Sequence, residues 1–282
     1  MGLIKSGLLP TLKSFNFKNV YIIRKSIHLD SITAYLIGIT TRVVIPFLLC
    51  INYSRKKYKK IFMLIILQLI IYSMYPFKSI LFSLGLVIIV INGVKSRNFF
   101  KNFIYTLIVL CMVSIILELF SNDGILTILF IRRSLFVPVN IQFDYNNFFT
   151  NNPYLYMSNN SIGSILGTEY PYRLPIVNLI SAIYYNDPRM AANTCYISES
   201  YAQLGYLGML LYSAIFILIN RCLDCMVLKV DKSIIIPTII IAIYALNDAS
   251  LLTTMLTHGL IPGMLIIYMY MGTEDCKNKL IE

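Results

Sequence analysis

The sequence predicts an all-α, polytopic membrane protein with about seven transmembrane helices and one large extracytoplasmic loop. Three observations carry that prediction. Hydrophobic residues make up 57% of the 282 positions and charged residues only 13%, with a mean hydropathy of +0.72; a soluble domain carries roughly 25% charged residues. Apolar runs recur at about 33–51, 61–75, 79–94, 103–120, 205–220, 233–247 and 251–272, near the roughly 20 residues that cross a bilayer. None of the 15 lysines falls in residues 121–204, where all four basic residues are arginines.

Taken in order, the first run ends at a basic stretch, Arg55-Lys56-Lys57-Tyr58-Lys59-Lys60. Only Tyr75, Pro76, Phe77 and Lys78 separate the second run from the third, the signature of a tight helical hairpin. The fourth run closes an N-terminal part (1–120), the polar and aromatic segment 121–204 follows, and three further runs fill 205–282. Positive residues mark cytoplasmic connections. They cluster at 55–60, at Lys95, Arg97 and Lys101, at Arg221, Lys229 and Lys232, and at Lys277 and Lys279. With these four clusters inside, the spans alternate without a break. Segment 121–204 and the turn Asn247-Asp248-Ala249-Ser250 then face outward. The same alternation places residues 1–32 outside, although they carry Lys5, Lys13, Lys18, Arg24 and Lys25. Either part of that segment lies in the membrane surface as an amphipathic stretch, or the chain lacks spans found in longer relatives.

The net charge of +11 does not read as a nucleic-acid surface, because the lysines flank apolar segments. Nor do the six cysteines form a disulfide framework. Cys195 alone lies in the large loop, and Cys222 and Cys225 supply two of the four ligands that a structural zinc requires. Residues 1–32 hold no compact apolar core of the kind a cleavable leader needs. A fixed-period repeat is also lacking, which disfavours the inverted-repeat transporter architecture.

Three charges interrupt the apolar runs: Arg42 in the first, Glu118 near the outer end of the fourth, and His258 in the last. An ionisable group at membrane depth costs at least ~2.5–3.5 kcal/mol, so it faces a bundle interior or a wet cavity. Glu118 is near enough to the surface to be solvated. Arg42 either snorkels, meets a structural partner or contacts a ligand. His258 follows Thr253, Thr254 and Thr257 and precedes Gly259, Pro262 and Gly263, a composition that predicts an irregular, polar-lined helix.

Segment 121–204 is too aromatic for a linker. Phe143, Tyr145, Phe148, Phe149, Tyr154, Tyr156, Tyr170, Tyr172, Tyr184 and Tyr185 alternate with Asn146, Asn147, Asn151, Asn152, Asn159 and Asn160. Two readings fit: flat faces and amides that recognise sugars, or an amphipathic loop in the headgroup region. Arginine without lysine suits bidentate recognition of phosphate or carboxylate. The residues Arg132-Arg133-Ser134-Leu135-Phe136-Val137-Pro138, Tyr145-Asn146-Asn147-Phe148-Phe149, Asn193 and Glu199 to Gly208 resemble bacterial O-antigen polymerases of the Wzy type. The resemblance covers about residues 130–220. It includes the family's Arg-x15-Gly pattern, matched by Arg189 and Gly205, and it points to a shortened or divergent member.

That resemblance implies a multi-pass protein of the bacterial cytoplasmic membrane. Such an enzyme polymerises undecaprenyl-pyrophosphate-linked glycan repeat units into O-antigen or capsule, alongside a flippase and a chain-length regulator. The chemistry needs cations for a pyrophosphate leaving group, a base for an acceptor hydroxyl, and a surface for glycan. Arg189 with Arg132 or Arg133, and then Arg173, are expected on the pyrophosphate. Tyr145 and Tyr201 are expected on the glycan. The base is expected at Glu199, then Asp187, Asp248 or His258, with a structural ion pair to an arginine as the alternative for each carboxylate. No metal or cofactor is expected, since the sequence has no Asp-x-Asp, glycine-rich phosphate loop or histidine cluster. Two rivals remain open: an O-antigen ligase, which uses a different acceptor, and a non-enzymatic transporter of lipid-linked oligosaccharide, which needs no base.

Overall fold

The computed structural model describes residues 10, 12–15, 20, 23, 27, 29–94, 96, 98–121, 127, 131, 132 and 136–279. Among these the fold is all-helical, without strands. The helices are α1 (Ser31–Ser54), α2 (Tyr58–Met74), α3 (Lys78–Val94), α4 (Phe99–Ser121), α5 (Val137–Asn151), α6 (Ser161–Leu166), α7 (Ile176–Tyr185), α8 (Tyr196–Val227), α9 (Lys232–Ala245), α10 (Leu251–Leu256) and α11 (Leu260–Lys279). Each of the seven apolar runs is helical. Four stretches are long and apolar enough to cross a membrane: Ser31–Ser54, Phe99–Leu119, Tyr196–Val227 and Leu251–Gly272. At 1.5 Å per residue the 17-residue helices α2 and α3 reach about 26 Å, short of the ~30 Å hydrocarbon layer.

The chain divides into two compact units. One contains α1 to α3, residues 221–244 (the end of α8 with α9) and the residues from Leu252 onward. Here α1 starts on Asp30, whose carboxylate accepts the Thr33 amide at 3.0 Å, an N-cap that satisfies one of the free first-turn donors. Its middle widens into a π-turn at Thr40–Val44, a bulge of the kind that collects at functional sites. Gln68 of α2, buried, donates to the carbonyls of Thr41 (3.2 Å) and Ile80 (3.1 Å) and so ties α1, α2 and α3 together. Gly259, with φ +95°, separates α10 from α11; a Cβ there would sit 2.3 Å from a Val43 methyl. Only glycine lets the broken helix approach the π-turn so closely.

Within this unit Arg42 donates to Nδ1 of His258. Two of the three ionisable residues that interrupt the apolar runs therefore meet in one pair, joining the π-turn to the break before α11. A guanidinium only donates, so Nδ1 is the accepting nitrogen and the ring is the neutral tautomer with its proton on Nε2.

The second unit contains residues 98–220 and the turn Ala245–Leu251. Helix α4 is almost bare of packing partners, with 6% of its best apolar window buried. Among its described residues, the segment expected as a loop is largely helical. Pro138 occupies the first turn of α5, where its missing N–H costs nothing. The helix then buries Ile141, Tyr145, Phe148 and Phe149 against Leu155, Ile176, Ile180, Ala192, Tyr201 and Ala202. Each such side chain contributes ~1.5–3 kcal/mol on full burial. Helix α7 ends at Asn186, in the left-handed conformation (φ 55°) that asparagine tolerates.

Candidate functional site

The site is built where α8 breaks. Helix α8 runs from Tyr196 to Val227 but leaves helical geometry at Leu204 (φ −143°, ψ 20°) and Gly205 (φ 62°, ψ −144°). The Gly205 conformation is essentially glycine-only, and a Cβ there would lie 2.9 Å from the Tyr154 hydroxyl. Breaking the ladder frees the carbonyls just before it. The segment 155–157 takes them: the Leu155 amide donates to the Ala202 carbonyl (2.9 Å) and the Tyr156 amide to the Gln203 carbonyl (3.0 Å). Tyr156 and Met157 consequently sit at φ 48° and 65°, a strain of about 1–2 kcal/mol each. Strained backbone of this sort clusters at functional sites.

Gln203 is the hub. Its Oε1 accepts the Met157 amide at 2.8 Å. Its Nε2 donates to Asn159 Oδ1 (2.8 Å) and to Glu199 Oε1 (2.6 Å). Glu199 and Gln203 are four residues apart, so one face of the first two turns of α8 presents both. Glu199 Oε2 is buried and carries no hydrogen bond of normal geometry. The Tyr212 hydroxyl approaches the carboxylate closely enough to favour its charged form by hydrogen bonding, and it also donates to Met157 Sδ at 3.6 Å. No cation among the described residues pairs with this carboxylate. Asn159, Tyr156 and Tyr206 are exposed, and the two tyrosines lie edge-on to Tyr154 (6.2 Å) and Tyr201 (5.4 Å). The Tyr196 amide donates to the Leu246 carbonyl at 3.2 Å, which places the Ala245–Leu251 turn at the head of α8.

The sequence-predicted residues distribute unevenly around this cluster. Glu199 is at its centre. Arg189 is fully on the surface, 92% exposed, with Nε 3.4 Å from Asp187 Oδ1. The same Oδ1 accepts the Arg189 backbone amide at 3.0 Å, so Asp187 caps a turn. That pairing also replaces the structural alternative of a Glu199–Arg189 ion pair. Arg132 and Arg173 are exposed and pair with neither Glu199 nor Asp187, while Arg133 lies outside the described residues. His258 belongs to the other unit and uses its accepting nitrogen on Arg42, so in this state it has no lone pair for a base. Asp248 sits in the turn, its amide donating to Ala245.

Two expectations are corrected. Tyr145 is 1% exposed, and its hydroxyl donates to the Ala192 carbonyl at 3.1 Å. Burial, then the nearby Glu199 charge and Tyr170, pushes its pKa well above the usual tyrosine value. Tyr201 is likewise buried, edge-on to Tyr154 at 5.8 Å. Neither offers a face to a sugar; both hold the core. The sequence reading missed Gln203, Asn159 and Tyr212 as partners of Glu199. The four-residue spacing of Glu199 and Gln203 was the one available signal.

Among the described residues no group of three or more histidine, cysteine or acidic side chains could hold a metal ion. Comparison with family models, curated proteins and solved structures finds no match for this chain.

Proposed function

We propose that this protein is a metal-independent glycosyltransferase of the bacterial cytoplasmic membrane. It polymerises undecaprenyl-pyrophosphate-linked repeat units on the outer leaflet, with seven spans and segment 121–204 facing outward. The observation that carries the proposal is Glu199. It is a carboxylate with one oxygen held by Gln203 and the other buried without a normal hydrogen bond, at the head of a membrane-length helix. Buried polar atoms left unpaired are rare and call for a reason; a general base needs such a lone pair.

The chemistry balances without further reactants. Glu199 takes the proton of an acceptor sugar hydroxyl, and the hydroxyl oxygen bonds to the anomeric carbon of the lipid-linked glycan. The bond from that carbon to the pyrophosphate oxygen breaks, and undecaprenyl pyrophosphate leaves with the electron pair. Arg189, Arg132 and Arg173, all exposed, are the cations for that leaving group, with Arg133 adjacent in sequence. Arginine suits this role because its planar fork meets phosphate oxygens in pairs. Tyr156, Tyr206 and Asn159 take over the glycan-facing role expected of Tyr145 and Tyr201: all three are exposed, and Asn159 joins Glu199 through Gln203.

The test is a gel of surface polysaccharide from cells lacking the gene, complemented with the wild-type protein or with Glu199→Gln. Loss of the polymer ladder with a single-repeat band remaining, restored by wild type alone, supports a polymerase. Loss of the single-repeat band as well points to ligation or translocation and overturns the proposal.

A further inference from the structure

Arg42 stands at the floor of a cavity in the unit that holds α1 to α3. The cavity has a volume of ≈ 690 Å³, within the roughly 300–1,000 Å³ of small-ligand sites. Its walls come from the first half of α1, from Tyr75 and Phe77 in the turn between α2 and α3, and from Thr257 after α10. Among the described residues that line it, Arg42 alone is charged and most others are apolar. Ser31 and the α2–α3 turn mark one end of these helices, opposite the basic stretch 55–60 that joins α1 to α2. Arg42 follows Ser31 by about 16 Å of helix. The cation therefore lies below an apolar entrance, near the middle of a helix long enough to cross a bilayer.

The surroundings of Arg42 favour an anion. A guanidinium carries five donors in a planar fork, and His258 takes a bond from it as a neutral ring, without an opposite charge. Helix α11 begins beside the same π-turn, with Gly259 against Val43, and the N-terminal end of a helix is its positive end. At the carbonyl end of α10, Leu256 accepts the Tyr35 hydroxyl at 3.2 Å. The Thr257 hydroxyl is turned back on the Thr253 carbonyl at 2.8 Å. Cations at membrane depth are rare and mark binding or transport sites. A ligand here must carry an anionic group on an apolar body. A phosphodiester headgroup is always charged and would lose its hydration along the apolar entrance, whereas a carboxylic acid passes in its neutral form. It ionises at the fork, which meets a carboxylate in two parallel bonds, and its proton returns to water.

We infer that this cavity binds a long-chain carboxylic acid, its carboxylate on Arg42 and its chain along the α1 wall towards Ser31. Gly38 leaves room for the chain: a Cβ there would have the Thr257 carbonyl, 3.9 Å away, as its nearest contact from outside the helix. The π-turn at Thr40–Val44 widens the helix where the carboxylate sits. The inference rests on α1 crossing the membrane and not on the reading of Glu199.

The chain has no tryptophan, so a single introduced one reports its own surroundings. Leu36→Trp stands on the cavity wall, and Leu265→Trp on α11 is an exposed control outside the lining. Each full-length variant is placed in phosphatidylcholine nanodiscs at mildly alkaline pH. Dibromostearic acid or its methyl ester is titrated in, since bromine quenches tryptophan on contact. Leu36→Trp should be quenched by about tenfold less acid than ester, the scale of one charge-assisted hydrogen bond. Leu265→Trp should not distinguish the two. Arg42→Gln in the Leu36→Trp background should erase the preference. Because Arg42 also joins α1 to the break before α11, Gly38→Leu is the second variant; it fills the cavity and leaves the Arg42–His258 pair in place. It should erase the preference too. Equal quenching by acid and ester at Leu36→Trp overturns the inference, as does a preference that survives either variant. Brominated phosphatidylglycerol that quenches Leu36→Trp in preference to brominated phosphatidylcholine also overturns it, since a phospholipid would then hold the site.

Discussion

Glu199 makes the sharpest demand on a single atom. Glu199→Gln keeps the hydrogen bond from Gln203 to the Oε1 position but cannot accept a proton at the Oε2 position. Loss of a general base costs about 10²–10⁴ in rate, so polymer should vanish while protein level stays normal. A well-expressed variant that still makes polymer places the base elsewhere. Arg189→Lys keeps the charge and the backbone bond to Asp187, yet loses the fork. Polymer per molecule should fall about 10²–10³-fold, the scale of one lost preorganised charge donor, with unchanged membrane content measured by immunoblot. Tyr145→Phe separates core from site: losing the bond to Ala192 should cost about 0.5–1.5 kcal/mol, seen as a lower melting temperature at unaltered polymer output. Glu199 drew notice in the sequence through the Glu-x-Tyr-x3-Gly-x2-Gly entry into the fifth run. Tyr145 and Tyr201 were misplaced because a tyrosine that feeds a core and one that meets a sugar look alike until burial is known.

Helix α8 shows what spacing reveals and hides. The fifth apolar run begins at residue 205, and the helix breaks at Gly205, so the boundary was visible as a change of composition. The eight helical residues before it were not, because Glu199, Ser200 and Gln203 read as loop. Helices α5 and α7 were hidden for a related reason. Their core residues are interleaved with asparagine and serine, which are poor helix formers in isolation, and tertiary packing overrides that preference. Gly205→Ala places a Cβ 2.9 Å from the Tyr154 hydroxyl and forces a non-glycine residue to φ 62°. A conformation of that class costs about 1–3 kcal/mol. Purified Gly205→Ala should melt at lower temperature and show greater hydrogen exchange at 155–157, whose amides depend on the kink. An unchanged exchange pattern would mean that the break does not organise this segment.

At the scale of the molecule, composition alone made the membrane class legible, and four stretches have the length to cross. The seven spans expected from the apolar runs are supported at four; α2, α3 and α9 are shorter, and hydropathy does not tell a short span from a buried helix. Orientation is testable by cysteine chemistry, but Cys195 is a poor reporter because it is buried. Asn147→Cys is exposed. An impermeant maleimide on intact cells, permeabilised at any outer membrane, should label it and spare the exposed Cys222 and Cys225. The opposite pattern would reverse the assignment drawn from the lysine clusters. The most direct measurement of the central claim is chain growth in a reconstituted system. Purified protein in proteoliposomes receives undecaprenyl-pyrophosphate-linked repeat units and nothing else, and the glycans are sized after release. The proposed activity predicts chains of two and more repeats together with free undecaprenyl pyrophosphate, both lost in Glu199→Gln. Repeat units that stay single, or are consumed only when a lipid-core acceptor is added, would contradict it.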